Sequence, residues 1–378
     1  MNRVVLTNAK VGRCEDDDLK SIEIIEGVIS NISSETISGD AIDLKGNTIL
    51  PGFIDTHNHG ALGFDVNTAD AAGFVEIGRF LVKHGITSWV PTIVPDSHDR
   101  YKEIISAVSE ARASGEVGVA EIVGIHYEGI FSNKKVCGAL RPEYFREYRS
   151  GDLEEIPSID GIAHLFTFAP EIEGAVDLAE DLVKKTWIPS IGHTDAKVSH
   201  LESVYEKGVR RVTHLYNAMS GIHHRTLGVA GWALAKEDVC CEIIADGIHV
   251  SDEILKLTLR AKGSEGLALV SDSVAPTGLG DGEYDLWGEK ISVSRKRTEN
   301  ERGSIAGSVI TIADAVERMT RLGASSADIV AMASFNQAKS LGLCDRGEIA
   351  VGKKADIVAL DPQGKITFVM KSGVAVPC

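Results

Sequence analysis

Residues 51–60, Pro51-Gly52-Phe53-Ile54-Asp55-Thr56-His57-Asn58-His59-Gly60, form a β-prone apolar run that finishes in two imidazoles. His57 and His59 stand at period 2, on one side of an extended segment, where both can grip one metal ion. The same design recurs along the chain. Ile191-Gly192-His193 and Val212-Thr213-His214 each end an apolar run in histidine, and Ile125-His126-Tyr127-Glu128 ends one in a carboxylate. His249 and Asp272 close two further runs. Core strands have no packing reason to finish repeatedly in ligand-type residues. A fold whose strands all deliver their C-terminal ends to one mouth does.

Working outward, strand candidates fall at 48–56, 86–94, 122–128, 164–169, 188–193, 210–216, 241–249 and 267–272. Helical patterns separate most of them. Phe74, Ile77 and Leu81 share one face of a helix after Thr68, and Ile104, Val108 and Ala111 share another. Residues 176–184, 197–207, 252–262 and 310–322 also read as helices. Eight strands alternating with helices predict an α/β fold, a (β/α)8 barrel rather than an open doubly wound sheet. No G-x-G-x-x-G follows the first strand, which removes the main support for a dinucleotide fold. The first fifty residues and the last thirty-odd differ: short β-rich runs separated by polar or glycine turns, predicting that the two termini pair outside the barrel.

The 378 residues carry 39 Lys+Arg against 55 Asp+Glu, a net charge of −16, which opposes non-specific binding to nucleic acid or acidic membranes. It does not exclude an anionic small substrate, because a local basic pocket can override the global field. Six cysteines without C-x-x-C spacing point to a reduced compartment. No signal-peptide core or membrane-length apolar run is present, so a cytoplasmic protein is expected.

Each candidate has a bland reading beside the chemical one. Glu128 could be a surface carboxylate, but an acid ending an apolar run before glycine is more often buried against a cation. His193 and His214 singly read as core histidines; together with Glu128 they make a metal site of two histidines and one carboxylate the better reading. Asp272 is either a turn cap or a general base beside that metal. His84, His98 and His200 read as solvated, and His164 sits at the wrong end of its strand. His223 and His224 divide evenly between substrate contact and surface. The acidic run 15–18 reads as a solvated turn.

On these residues the chain resembles the N-acetylglucosamine-6-phosphate deacetylase family of the amidohydrolase superfamily over essentially its whole length. The stretches that carry the likeness are PGFIDTHNHG (51–60), HYEGIF (126–131), IGHTDA (191–196), THLYNAMSGIHHR (213–225), IADGIHV (244–250), LVSDS (269–273), GSIAGS (303–308) and GEIAVGKKADIVALD (348–361). The resemblance implies a metal-dependent barrel at 51–344, with a small β-sandwich from 1–50 and 345–378. It implies metal ligation by Glu128, His193 and His214, with Asp272 as catalytic acid/base. His57 and His59 allow a second ion, with Glu128 bridging. One or two divalent ions per subunit are expected, zinc first, with iron, manganese or cobalt as alternatives. Substrate contacts are implied for Ala139, Asn217, Ala218, Arg225 and His249, with Ile305, Ala306 and Gly307 near the acyl group. The arginine is implied to cross a homodimer interface into the neighbouring site.

Two departures stand out. Ile130 replaces the family's usual proline, and Leu140 replaces a histidine that contacts the sugar or its N-acetyl group. The expected reaction is hydrolysis of the acetamide of an N-acetyl amino-sugar 6-phosphate. The rivals are the same chemistry on N-acetylgalactosamine 6-phosphate, a cyclic-amide hydrolase and a non-catalytic barrel. The cyclic-amide enzymes need a bridging lysine from the fourth strand, and 164–169 contains none.

Overall fold

The computed structural model describes residues 2–13 and 18–377, so the acidic run at 15–18 lies outside the described residues except for Asp18. Eight parallel strands form the barrel: β1 (Phe53–Asn58), β2 (Ile86–Ile93), β3 (Gly124–Glu128), β4 (Ala163–Phe168), β5 (Ile188–Ile191), β6 (Arg211–Val212), β7 (Cys240–Ile244) and β8 (Leu267–Val270). Each is hydrogen-bonded in parallel to the next, from β1·β2 to β7·β8. β2 is buried along all eight residues, which is why these strands read as continuous apolar runs rather than alternating ones.

The seam between β8 and β1 is closed by specific bonds instead of a ladder. Asp272 N donates to His57 O at 2.9 Å and His59 N donates to Ser273 O at 2.7 Å. Below them, buried Asp55 accepts from Ser271 Oγ at 2.6 Å and from Asn58 Nδ2 at 3.1 Å. The motif that opens the barrel is thereby locked to the strand that ends it.

The helices follow from apolar spacing and caps. Ala71–Lys83 buries Phe74, Ile77 and Leu81, and its first turn is capped by Asp70 accepting from Gly73 N. Helices at His98–Ala113, Ala175–Lys184, Val198–Glu206, Asp252–Lys262 and Ile312–Arg321 occupy the other expected positions.

Both chain ends build a separate, largely antiparallel sheet. Thr48–Pro51 pairs with Ile357–Leu360, and strands from Arg3–Val11 to Val374–Val376 complete it. Leu6, Ile22, Ile29, Ile49, Ile357 and Met370, from both ends, pack into one apolar cluster. The run at 48–56 is therefore two strands, divided at Gly52: a Cβ there would lie 2.2 Å from Thr87 Oγ1. Among the described residues, no helix is long and apolar enough to cross a membrane.

Candidate active site

Every candidate ligand arrives at the C-terminal mouth of the barrel. His57 is the penultimate residue of β1 with His59 just beyond it, Glu128 is the last residue of β3, and His193, His214 and Asp272 each lie two residues past β5, β6 and β8. The last three adopt positive φ, +47° for His193, +30° for His214 and +49° for Asp272. L-residues with a Cβ rarely occupy that region, and such strain gathers at functional sites where surrounding contacts enforce it. The bends end the strands early. The expected runs 210–216 and 241–249 are in fact Arg211–Val212 and Cys240–Ile244, and their remaining residues form turns that aim side chains into the mouth.

Glu128 stands at the centre. Its Oε1 lies 3.0 Å from His214 Nε2 and 3.1 Å from His193 Nε2, while Oε2 lies 3.3 Å from His59 Nε2. His57 Nε2 is 3.4 Å from Glu128 Oε1 and 3.2 Å from His59 Nε2. Asp272 Oδ1 lies 3.2 Å from His59 Nε2 and 3.4 Å from His57 Nε2. All six side chains are buried.

Outward contacts orient three of the four imidazoles, while His214 Nδ1 is buried without a hydrogen-bond partner. His193 Nδ1 donates to Val136 O at 3.1 Å, His59 Nδ1 to Thr92 O at 3.0 Å and His57 Nδ1 to Glu242 Oε2 at 3.0 Å. Each inner Nε2 is left to present a lone pair to the centre, the arrangement that orients metal-bound histidines. His193 Nε2 and His214 Nε2 face each other at 3.1 Å, too close for two lone pairs without a positive charge between or beside them. The carboxylates demand the same charge. Burial would raise the Glu128 carboxyl, but the His57 charge and hydrogen bonds from His193, His214 and His57 hold it well below the usual range. Burial opposes protonation of His59, yet hydrogen bonds to Asp272 and Glu128 raise its pKa to about 9. A divalent cation would supply that positive charge in place of the imidazole protons, and nitrogen with carboxylate oxygen is a donor set that suits one. Two ligand groups share Glu128: His57 with His59, and His193 with His214.

A third grouping, His57 with His126 and Glu242, does not fit a cation. Arg211 occupies Glu242 Oε1 through Nε at 3.0 Å and Nη2 at 2.8 Å, and His57 occupies Oε2. Despite burial, the Arg211 charge and the His57 hydrogen bond keep the Glu242 carboxyl strongly depressed. Burial, then the His57 charge, pushes His126 down to about 3, so it is a neutral core group bonded to Thr167 Oγ1 at 2.7 Å. Glu242 and His126 were not singled out from the sequence. A carboxylate inside Cys240–Ile244 was the available signal, because a charge in an all-apolar strand needs a partner.

A cavity of about 270 Å³ opens over the cluster, lined by His59, Glu128, His193, His214 and Asp272. Ala139, Asn217, Ala218, His249, Ile305 and Gly307 also reach it. Ala306 is buried behind this wall. Arg225 lies outside it, on an exposed loop, with its Nε 3.2 Å from His224 Nε2. His249 is turned by Asp246, whose Oδ2 accepts its Nδ1–H at 2.7 Å. Asn217 N donates to His214 O at 3.0 Å, which holds the turn after β6. Leu140 is buried against Val94 and Phe145 and also borders the cavity. Of the histidines expected to be solvated, only His98 is; His84 and His200 are half-buried because their helices pack them inward. His164 stacks in a cluster with Trp187 and Tyr127, its ring centre 4.7 Å from that of Trp187 and 6.1 Å from that of Tyr127.

The amidohydrolase family model matches residues 48–376. The chain is 34% identical over 371 residues to the N-acetylglucosamine-6-phosphate deacetylase of Bacillus subtilis strain 168, covering 93% of each protein. It is 29% identical over 347 residues to the N-acetylgalactosamine-6-phosphate deacetylase of Escherichia coli O157:H7, covering 91% of each. Among solved structures, the N-acetylglucosamine-6-phosphate deacetylase of Thermotoga maritima superposes with a TM-score of 0.89 at 31% identity, covering 99% of both chains. A mutant of the Mycobacterium smegmatis enzyme in complex with N-acetyl-D-glucosamine-6-phosphate superposes at 0.91 with 28% identity, over 100% of both. The chain therefore belongs to the amidohydrolase family and groups there with the N-acetyl amino-sugar 6-phosphate deacetylases.

Proposed function

We propose that the chain hydrolyses the acetamide of an N-acetyl amino-sugar 6-phosphate, N-acetylglucosamine 6-phosphate first, to the amino-sugar 6-phosphate and acetate. The observation that carries this reading is the convergence of His193 and His214 on Glu128 within 3.1 Å, with Asp272 beside them. Glu128, His193 and His214 would hold one divalent cation, and His57 and His59 a second that shares Glu128. Zinc suits the nitrogen and oxygen donors, with iron, manganese and cobalt as alternatives. When bound, such a cation supplies Lewis-acid activation of water and of an amide carbonyl.

The chain's own groups do the rest. Burial favours the acid form of Asp272, but the positive charge beside it, carried by His57 and His59 or by a cation that would replace their protons, favours the carboxylate. It accepts a proton from the attacking water and returns it to the amine nitrogen, which is too basic to leave as an anion. Its position is fixed on both sides, with its N–H on His57 O at 2.9 Å and its carbonyl accepting from Ser308 N at 2.7 Å. With Nδ1 engaged by Asp246, His249 offers Nε2 to the substrate. Arg225 is free to reach the phosphate of a neighbouring subunit in a homodimer, where its planar fork suits that group. The barrel at 51–344 would carry this chemistry, with 1–50 and 345–378 as its companion domain. An intracellular setting accords with Cys137, Cys240, Cys241 and Cys344 all being free thiols.

Leu140 favours a second reading of the sugar. It cannot donate to a hydroxyl or amide, so the galacto epimer stands as the alternative substrate. The test is acetate and free-amine release from both N-acetyl amino-sugar 6-phosphates, their unphosphorylated forms and a cyclic imide. Release from a phosphorylated N-acetyl sugar is expected; turnover of the imide alone would overturn the reading.

A further inference from the structure

We infer that Trp287 is the residue that sets acyl-group specificity, forming with Leu140 a wall that holds the enzyme to groups the size of acetyl. The inference rests on the deacetylase reading above. Between β8 and the helix Ile312–Arg321 the chain makes a three-stranded antiparallel sheet, β9 (Gly282–Leu286), β10 (Glu289–Ser294) and β11 (Arg297–Asn300). Leu286 pairs with Glu289, which leaves Trp287-Gly288 as a two-residue turn with φ of +52° and +85°. Such turns favour Asn-Gly; a bulky aromatic in the first position is strained and needs compensating contacts.

Those contacts are in the active site. A tryptophan at a hairpin tip would normally meet solvent, but this one is half-buried and lines the same cavity as Glu128 and Asp272. Its ring meets His59 edge to face, centroids 5.2 Å apart at 76°. It also packs against the Val94, Leu140 and Phe145 cluster. The hairpin is seated by Leu286 and Ile291 against Val274 and Ala306. Arg302 ties it to the opposite loop, with Nη2 on Ala139 O at 3.1 Å and Nε 3.1 Å from Glu289 Oε1.

Position around the barrel assigns the wall to the acyl group. Asn217 and His249 follow β6 and β7, whereas His59 and Leu140 follow β1 and β3, across the mouth, and Trp287 folds over to join them. In a 2-acylamino-sugar 6-phosphate, the amide and the phosphate leave opposite sides of the ring. On the deacetylase reading, Asn217, Ala218 and His249 take the sugar phosphate on the β6–β7 side; with the scissile carbonyl at the Glu128 cluster, the acyl chain then runs towards Trp287 and Leu140. The Leu140 side chain and the face of the Trp287 ring suit a methyl group and close the site to a longer chain; the Trp287 Nε1–H beside them is buried without a partner.

The test compares kcat/KM for N-acetyl-, N-propionyl- and N-butyryl-glucosamine 6-phosphate by free-amine release, in metal-loaded wild type, Trp287→Phe and Trp287→Ala. Each methylene that a pocket cannot accommodate costs about 10–200-fold, so wild type should prefer acetyl over butyryl by roughly 100-fold or more. Trp287→Ala should shrink that ratio at least about tenfold, while Trp287→Phe, which keeps an aromatic wall, should largely preserve it. The ratio within one preparation cancels the folded fraction, so structural damage alone does not move it. If Trp287→Ala does not fold, Leu140→Ala opens the same wall from the other side and is read by the same ratio. An unchanged ratio with normal turnover of the N-acetyl substrate overturns the wall alone. No release from any of the three overturns the deacetylase reading and the wall with it.

Discussion

Glu242→Gln is the perturbation whose consequences the structure specifies most fully. The carboxylate is fully buried in β7 and serves three groups: His57 through Oε2 at 3.0 Å, Arg211 through Oε1 at 2.8 and 3.0 Å, and the His214 amide at 3.3 Å. Arg211 itself is buried, and its other contacts, Thr56 Oγ1 at 2.7 Å and Ser340 Oγ at 3.1 Å, are neutral. Neutralising Glu242 leaves this guanidinium uncompensated, which costs about 3–5 kcal/mol of stability. Replacing both partners by apolar residues of similar size, Arg211→Met with Glu242→Leu, should recover most of that loss, because the pair's desolvation is then no longer incurred.

A second effect separates the two ligand groups. Loss of the charged acceptor behind His57 should weaken the His57/His59 ion by about 10–100-fold. An ion held by His193 and His214 should change less, because His193 Nδ1 donates to Val136 O and only the His214 backbone amide meets Glu242. Denaturant unfolding reads the first effect, and metal titration with elemental analysis reads the second. A Glu242→Gln protein of wild-type stability that binds both ions with unchanged affinity would refute the reasoning.

Three further outcomes follow from the same geometry. Asp272→Asn should retain its metal content but lose about 10²–10⁴-fold in kcat, since general acid-base catalysis contributes on that scale; near-normal turnover would remove the proton-transfer role. Arg225→Ala should raise KM for the phosphorylated sugar far more than for its unphosphorylated form, in a dimeric preparation checked by sedimentation. His164 gives a pH prediction away from the metal site. Burial lowers its pKa from 6.5 to about 4, and its Nε2 accepts from Ile159 N at 3.3 Å, so it is neutral in the fold. Between pH 6.5 and about 4 the unfolded chain binds a proton that the folded chain does not, so stability falls as pH falls through that window. His164→Phe should flatten this slope by up to about 1.4 kcal/mol per pH unit, measured by urea unfolding across the window; an unchanged slope would contradict it.

The barrel was legible because its strands are buried on both faces and so appear as eight apolar runs, six of which lead to a ligand-type residue that packing does not explain. The ligands were legible for the same reason. What the sequence hid depends on tertiary contact. The runs through His214 and His249 look like continuing strands, since nothing in local apolar pattern reveals that His214 adopts φ +30° or that Asp246 turns His249 back. His126 and His193 are alike in sequence, each preceded by one isoleucine and one glycine. Only the fold shows that the first is locked to Thr167 in the core and the second opens on the cavity. Glu242 and Arg211 lie on adjacent strands and declare themselves as a pair only once β6 and β7 are side by side. Trp287 escaped notice because a hairpin tip is ordinarily surface; its position in the site depends on a sheet folding back across the barrel mouth.

The central claim is that the Glu128 cluster holds the metal that makes this barrel a deacetylase. Its most direct measurement is divalent metal content together with acetate release from N-acetylglucosamine 6-phosphate and its galacto epimer, for wild type and Glu128→Gln side by side. The account predicts stoichiometric metal and steady acetate release for wild type, with both lost in the variant. Wild-type metal content and turnover in Glu128→Gln, or no acetate from either epimer with metal-loaded wild type, would contradict it.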